Sequence, residues 1–193
     1  MWITVGSAQG RPVYSDWIRP RSPGASVITY TSALVAILIG TVHAGLAPVI
    51  QVAGVHPNLA LVAVVLVTAV FGFSQGTVWA FATGLTANLL VSAPLGSLPL
   101  TLLLVSAVVA GGDRIMGRLV WVYPVLAAFG GSLVADTLML AIGRLVGQAG
   151  AGGDALSLML PAAVLNAAIA GLLLPLARLL AGRLGVLEER PAW

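Results

Sequence analysis

Apolar positions run along this chain in continuous stretches, and polar, proline- or glycine-rich breaks divide them into six. The stretches cover about residues 27–52, 58–71, 77–91, 98–110, 120–146 and 156–180. The breaks fall at 54–58, 72–76, 92–97, 111–118 and 147–154. Apolar residues do not alternate with polar ones as they would in barrel strands, so the pattern predicts helices. Pro48 is expected to kink the far end of the first helix, and Pro57 to occupy the first position of the second. Spans two to four are short, around 13 to 16 residues, where a vertical crossing needs roughly 20. Either these helices include part of the breaks or the bilayer thins around them. The expected fold is an all-α integral membrane protein, a compact bundle of six transmembrane helices. Five is the competing count, if one short span is re-entrant.

Charge sharpens this picture. From Ser22 to Gly112 the chain has no Asp, Glu, Lys or Arg, a run of 91 residues. Charged residues make up 8% of the whole, where a soluble globular domain carries about 25%. Hydrophobic residues are 59% of the total and mean hydropathy is +1.05. All nine basic residues are Arg and the net charge is +3. They stand singly near the span ends and form no basic stripe, which excludes nucleic acid as a partner and leaves the lipid bilayer. The absence of Cys excludes disulfides, thiol chemistry and Cys-ligated metals.

The arginines also set an orientation. With six spans and both ends inside, Arg11, Arg19, Arg21, Arg114, Arg118, Arg178, Arg183 and Arg190 are cytoplasmic, and only Arg144 lies near the outer face. Trp17, Trp79, Trp121 and Tyr123 then fall near the inner interface and read as anchors. Residues 1–25 form a polar cytoplasmic extension without the build of a secretory signal, 26–182 the transmembrane domain and 183–193 a cytoplasmic tail.

Catalytic constellations are weak. Gly130-Gly131-Ser132 is a glycine pair before a serine, which more often lets helices approach than activates a nucleophile. An aspartyl intramembrane protease needs two membrane aspartates, and only Asp136 sits deep in a span. The AlaGlyGlyAsp runs ending at Asp113 and Asp154 read as loop punctuation. His43 and His56 have no carboxylate at ligand spacing, so no metal or cofactor is expected. Polar residues inside the spans carry more interest. His43, Asp136 and Asn166 each lie ~10 residues, roughly 15 Å, below the outer ends of their spans, and Asn88 only ~3 residues in. Spans five and six share a short loop, so the expected arrangement is an interior polar cluster with an Asp136–Asn166 hydrogen bond and His43 nearby. The competing reading gives each group its own local or water partner. Gly143 and Gly147 form a GxxxG step that seats another helix.

The stretch from His56 to Gly112 resembles the MreD family of bacterial rod shape-determining membrane proteins. The matching pieces are His56–Leu61 (HisProAsnLeuAlaLeu), Phe71–Gly76 (PheGlyPheSerGlnGly), Gly84–Leu90 (GlyLeuThrAlaAsnLeuLeu), Ser92–Gly96 (SerAlaProLeuGly) and, just beyond, Asp113–Arg118. About a third of the chain is covered well. The motif positions are Pro57, Asn58, Gly84, Asn88, Pro94 and Gly96, with Asn58 and Asn88 where the family often has Asp. If those residues cap or hydrogen-bond, Asn serves; if they act by charge, this chain lacks that role. The resemblance implies a non-enzymatic scaffold of the cell-elongation machinery in the bacterial inner membrane. It would bind MreC, a bitopic protein, beside MreB, RodA (a glycosyltransferase) and a class B penicillin-binding transpeptidase. The family is also likened in fold to the substrate-binding subunits of energy-coupling-factor vitamin transporters, which supplies an alternative function. The short outer breaks offer such a subunit few recognition groups.

Overall fold

The stretch with the fewest polar positions becomes the centre of the molecule. In the computed structural model, which describes residues 23–46, 49–52, 54–116, 121–147 and 155–184, the helix α2 (Leu59–Phe71) has one polar residue, Thr68, in thirteen. A helix that is apolar all round is stable only when covered all round. Nine of its residues are buried, and α3 (Phe73–Leu90), α4 (Ser97–Met116), α5 (Tyr123–Leu145) and α6 (Ala155–Arg183) pack around it. The sixth helix, α1 (Pro23–Leu46), packs chiefly on α3. The described residues contain six helices and no strand, only an isolated bridge between Val52 and Val55.

The residues in contact fix the helix directions. Trp79 meets Ser32 and Thr83 meets Ala36, rising together, so α1 and α3 are parallel. Gly84 faces Pro99 while Gly76 faces Ser106, so α3 and α4 are antiparallel. Tyr123 reaches Val109 and Gly131 faces Val105, which makes α4 and α5 antiparallel. Ser132 pairs with Asn166, and Gly171 meets Val125, which does the same for α5 and α6. Successive helices therefore alternate in direction. Three of them, α4, α5 and the Ser157–Arg183 part of α6, are long and apolar enough to cross a membrane.

The helix boundaries explain the short spans. Only Gly72, with φ +93°, breaks the chain between α2 and α3; Phe73 to Gly76, expected in a turn, is helical. α4 continues through Gly111 and Gly112 to Met116, where a loop was expected. Gly112 leaves room for Tyr123, whose hydroxyl would lie 2.7 Å from an added Cβ. α3 and α4 thus reach 18 and 20 residues, while α2 stays at 13, between its Asn58 cap and the Gly72 break. Pro57 is buried just before the N-cap, since Asn58 takes the cap position. Residues 23–25, expected in the extension, begin α1, while the expected kink at Pro48, the rest of the extension with Trp17, Arg118, most of the 147–154 break and the tail beyond residue 184 lie outside the described residues.

Aromatic residues expected as interface anchors serve as ties between helices. The Trp79 indole donates to Ser32 Oγ at 2.6 Å, joining α3 to α1. The buried Tyr123 hydroxyl donates to the Val109 carbonyl, joining α5 to α4. Trp121 lies under the Arg178 guanidinium, 4.1 Å from its ring centre, a cation–π contact between the start of α5 and α6.

Candidate functional site

Three asparagines, Asn58, Asn88 and Asn166, organise the polar interior toward one end of the bundle. Asn58 caps α2: its side-chain oxygen accepts from the Leu61 N–H at 3.0 Å. Its own N–H donates to Asn166 Oδ1 at 2.8 Å, and Asn166 Nδ2 donates to Ser132 Oγ at 2.9 Å. One side chain thus ties the start of α2 to the middles of α5 and α6. Ser132 is ~20 Å from the Leu145 end of α5 and Asn166 ~17 Å from the Ala155 end of α6 at ~1.5 Å per residue. The start of α2 is therefore recessed into the bundle. An N–H there has no water to turn to, which is why a buried side chain must meet it.

Asn88 does comparable work on α3. Its Nδ2 donates to the Ala93 and Pro94 carbonyls at 3.4 and 3.2 Å, and its Oδ1 accepts from the Gly96 N–H at 2.7 Å. These bonds close the turn into α4, where Gly96 takes φ +85°. One turn back along α3, Gly84 lets the backbone of Pro99 approach; an added Cβ would lie 2.6 Å from Pro99 Cα. Gly84, Asn88, Pro94 and Gly96 form one folding unit, an α3–α4 corner closed from both sides.

Asn58 and Asn88 differ in a testable way. Asn58 uses only its oxygen, so Asn58→Asp keeps the cap. Asn88 uses donor and acceptor together, and a carboxylate supplies no donor. Asn88→Asp is expected to cost about 2 kcal/mol, chiefly from two carbonyls left unpaired. Asn58→Asp is expected to cost much less. Thermal unfolding of the two variants in one detergent checks this; equal losses would contradict it.

The expected cluster of His43, Asp136 and Asn166 does not assemble. Both amide atoms of Asn166 are engaged by Asn58 and Ser132, and Asp136 lies one helical turn farther along α5. His43 is three residues from the end of α1, a helix that makes no contact with α5 or α6 among the described residues. Its Nδ1 is buried without a hydrogen-bond partner. His56 instead closes the segment before α2, with its Nδ1 3.1 Å from the Ile50 carbonyl oxygen. The Gly143–Gly147 step is also absent: α5 ends at Leu145, and Gly147 lies beyond it at φ +75°. Small-residue packing occurs on α1 instead. Ser32, Ala36 and Gly40 face α3, and a Cβ at Gly40 would stand 2.7 Å from the Thr83 carbonyl oxygen.

Sequence reasoning took Ser132 as part of a small-residue run that lets helices approach and missed its bond to Asn166, as well as the junction where Thr68, Ser106 and Gly76 meet. The Thr68 and Ser106 hydroxyls are 3.2 Å apart, and a Cβ at Gly76 would overlap Thr68. The four-residue spacing of Ser32, Ala36 and Gly40 was the available signal for the α1 seam.

At the opposite end of α2 a recess of ≈380 Å³ opens beside the Gly72 turn, lined by Thr68, Gly72, Phe73, Ala107, Gly111 and Arg114 among others. It exists because α4 runs on to Met116 past that turn. Among the described residues no three His, Cys, Asp or Glu side chains group as metal ligands would. Comparison with protein-family models, curated proteins and solved structures found no match to this chain.

Proposed function

We propose that this chain is a non-enzymatic membrane scaffold of the bacterial cell-elongation complex, similar to MreD. The observation that carries the reading is the α3–α4 corner. The motif behind the resemblance, from Gly84 through Asn88 to Pro94 and Gly96, acts as one packing device, and Asn58 caps the central helix. Residues devoted to holding helices in place suit a protein whose work is to present a surface. The chain crosses the inner membrane six times with both ends in the cytoplasm; the alternating helix directions and the arginine distribution support this. Its partner is an MreC-like bitopic protein, with an MreB-like filament, a RodA-like glycosyltransferase and a class B penicillin-binding transpeptidase in the same assembly.

The alternative, a substrate-binding subunit of a vitamin transporter resembling the energy-coupling-factor type, needs a pocket facing outward. The ≈380 Å³ recess lies at the Arg114 end, which the arginines assign to the cytoplasm. Purification in mild detergent from cells that produce an MreC-like protein separates the readings. Stable, stoichiometric co-purification of that protein is expected. A tightly held vitamin together with an ATPase module would overturn the scaffold reading.

A further inference from the structure

Threonines inside the helices of this chain spend their hydroxyls close by. Those of Thr41, Thr68, Thr77, Thr86 and Thr137 donate to the carbonyl four residues back, and Thr83 donates to the Ala36 carbonyl of α1. Thr101 departs from this habit. Its Oγ1 has no hydrogen-bond partner among the described residues, although the Ser97 carbonyl stands four residues back in α4. Ser97 Oγ, one turn earlier on the same face, has none either. Thr101 is 2% and Ser97 3% exposed, so neither hydroxyl reaches bulk water. A buried hydroxyl left unpaired is costly.

The row Ser97, Thr101 and Val105 runs along the inner side of α4. Val105 lies with Val65 of α2 against Gly131 of α5. Ser106 meets Thr68, and carrying that pairing back along the two parallel helices sets Ser97 level with Leu59 and Thr101 with Ala63. The hydroxyls therefore stand beside the recessed first turn of α2. That turn has donors to spare. Asn58 Oδ1 takes the Leu61 N–H and the Asn58 carbonyl takes that of Val62, which leaves the N–H groups of Leu59 and the buried Ala60 without an acceptor among the described residues. On α5 the matching level is Ala135, buried and without a polar side chain.

We infer that α2 and α4 hold one enclosed water between the Ser97 and Thr101 hydroxyls and the first turn of α2. Side chains four apart on a helix stand ~5–6 Å from each other at Cβ, and a water ~2.8 Å from each of two oxygens spans about that distance. A water both donates and accepts, so it serves two hydroxyls and an N–H at once. An ion fits less well. No Asp, Glu, Lys or Arg lies between Ser22 and Gly112 to balance one, and neutral hydroxyls do not offset a buried charge. The water is spent on the α4 side of the helix start, so the Asn58 N–H still depends on Asn166.

Diffraction from the full chain, crystallised in lipid and resolving ordered waters, tests this with and without bromide. A peak within hydrogen-bond distance of both Ser97 Oγ and Thr101 Oγ1 is expected, unchanged by bromide. No peak there, or an anomalous bromide peak, overturns the inference. Melting in one detergent gives a second reading. Thr101→Val keeps the shape and should lower the melting temperature by several degrees, because it takes a partner from the water. Removing a dry, unpaired hydroxyl would leave that temperature unchanged or raise it, and either result contradicts the site. Ser97→Ala combined with Thr101→Val should lose less than the two single losses added, since each alone strands the group the other bonded through the water. Additive losses would show two hydroxyls that share nothing.

Discussion

Replacing Asn166 by leucine is expected to destabilise the bundle by about 2–3 kcal/mol. The two side chains are similar in size and Asn166 is only 2% exposed, so the loss does not come from a cavity. Two hydrogen bonds disappear, and they are not equal. The Ser132 hydroxyl can turn to a carbonyl of its own helix, and side-chain bonds between membrane helices are worth only ~0.6 kcal/mol on average. The Asn58 N–H has no such choice. It is the first group of a recessed helix start, and its partner was Asn166 Oδ1 at 2.8 Å. A buried backbone donor left unpaired costs ~1–3 kcal/mol, which makes this the dominant part. Ser132→Ala should therefore cost much less than Asn166→Leu, and the double variant should be little worse than Asn166→Leu alone. Asp136→Asn combined with Asn166→Leu should be additive, since the two do not touch. Reversible unfolding in mixed micelles measures all four; additivity of Ser132 with Asn166 would refute the clasp.

Gly84→Ala is expected to be worse still for one methyl group, at about 3 kcal/mol or more. The added Cβ would stand 2.6 Å from Pro99 Cα, 2.8 Å from Pro99 N and 3.2 Å from the Leu98 carbonyl carbon. All three are backbone atoms, so no rotamer relieves the overlap and α3 must move off α4. Gly76 is a second tight position. Its added Cβ would meet Thr68 Oγ1 at 2.1 Å and Thr68 Cβ at 2.8 Å; the hydroxyl can turn but the Cβ moves only with α2, so Gly76→Ala should be costly too. Gly130→Ala, with nothing within 4 Å, should be neutral or slightly stabilising because alanine favours helix over glycine. Melting temperatures in one detergent should be well below that of Gly130→Ala for both Gly76→Ala and Gly84→Ala. A Gly84→Ala protein as stable as Gly130→Ala would show that α3 and α4 do not meet backbone to backbone.

Much of the helix count was legible because continuous apolar runs and their breaks are local properties. The ends were less so. Gly111 and Gly112 look like a loop in isolation, yet both are helical, and Tyr123, eleven residues on, packs against Gly112 and bonds the Val109 carbonyl of α4. That contact is tertiary and leaves no local mark. The asparagines at 58 and 88 were legible as cap or hydrogen-bonding positions, since their offsets to Leu61 and Gly96 are short. The partner of Asn166 was not. Depth counting put Asp136 and Asn166 at similar levels, but a single turn of α5 separates Ser132 from Asp136, and boundary errors of a few residues exceed that difference. His43 failed for the same reason, because α1 ends at Leu46 and not near residue 52.

The central claim is that the chain serves as a scaffold for elongation, and depletion in a rod-shaped bacterium that encodes it tests this most directly. Cell width and the sites of new peptidoglycan would be followed by fluorescent labelling as the protein is lost, in rich medium. The account predicts that cells widen and round up and lose side-wall incorporation, and that a chain carrying Gly84→Ala fails to restore rods. Cells that keep their rod shape and side-wall synthesis, and stop growing only when a vitamin is limiting, would contradict it.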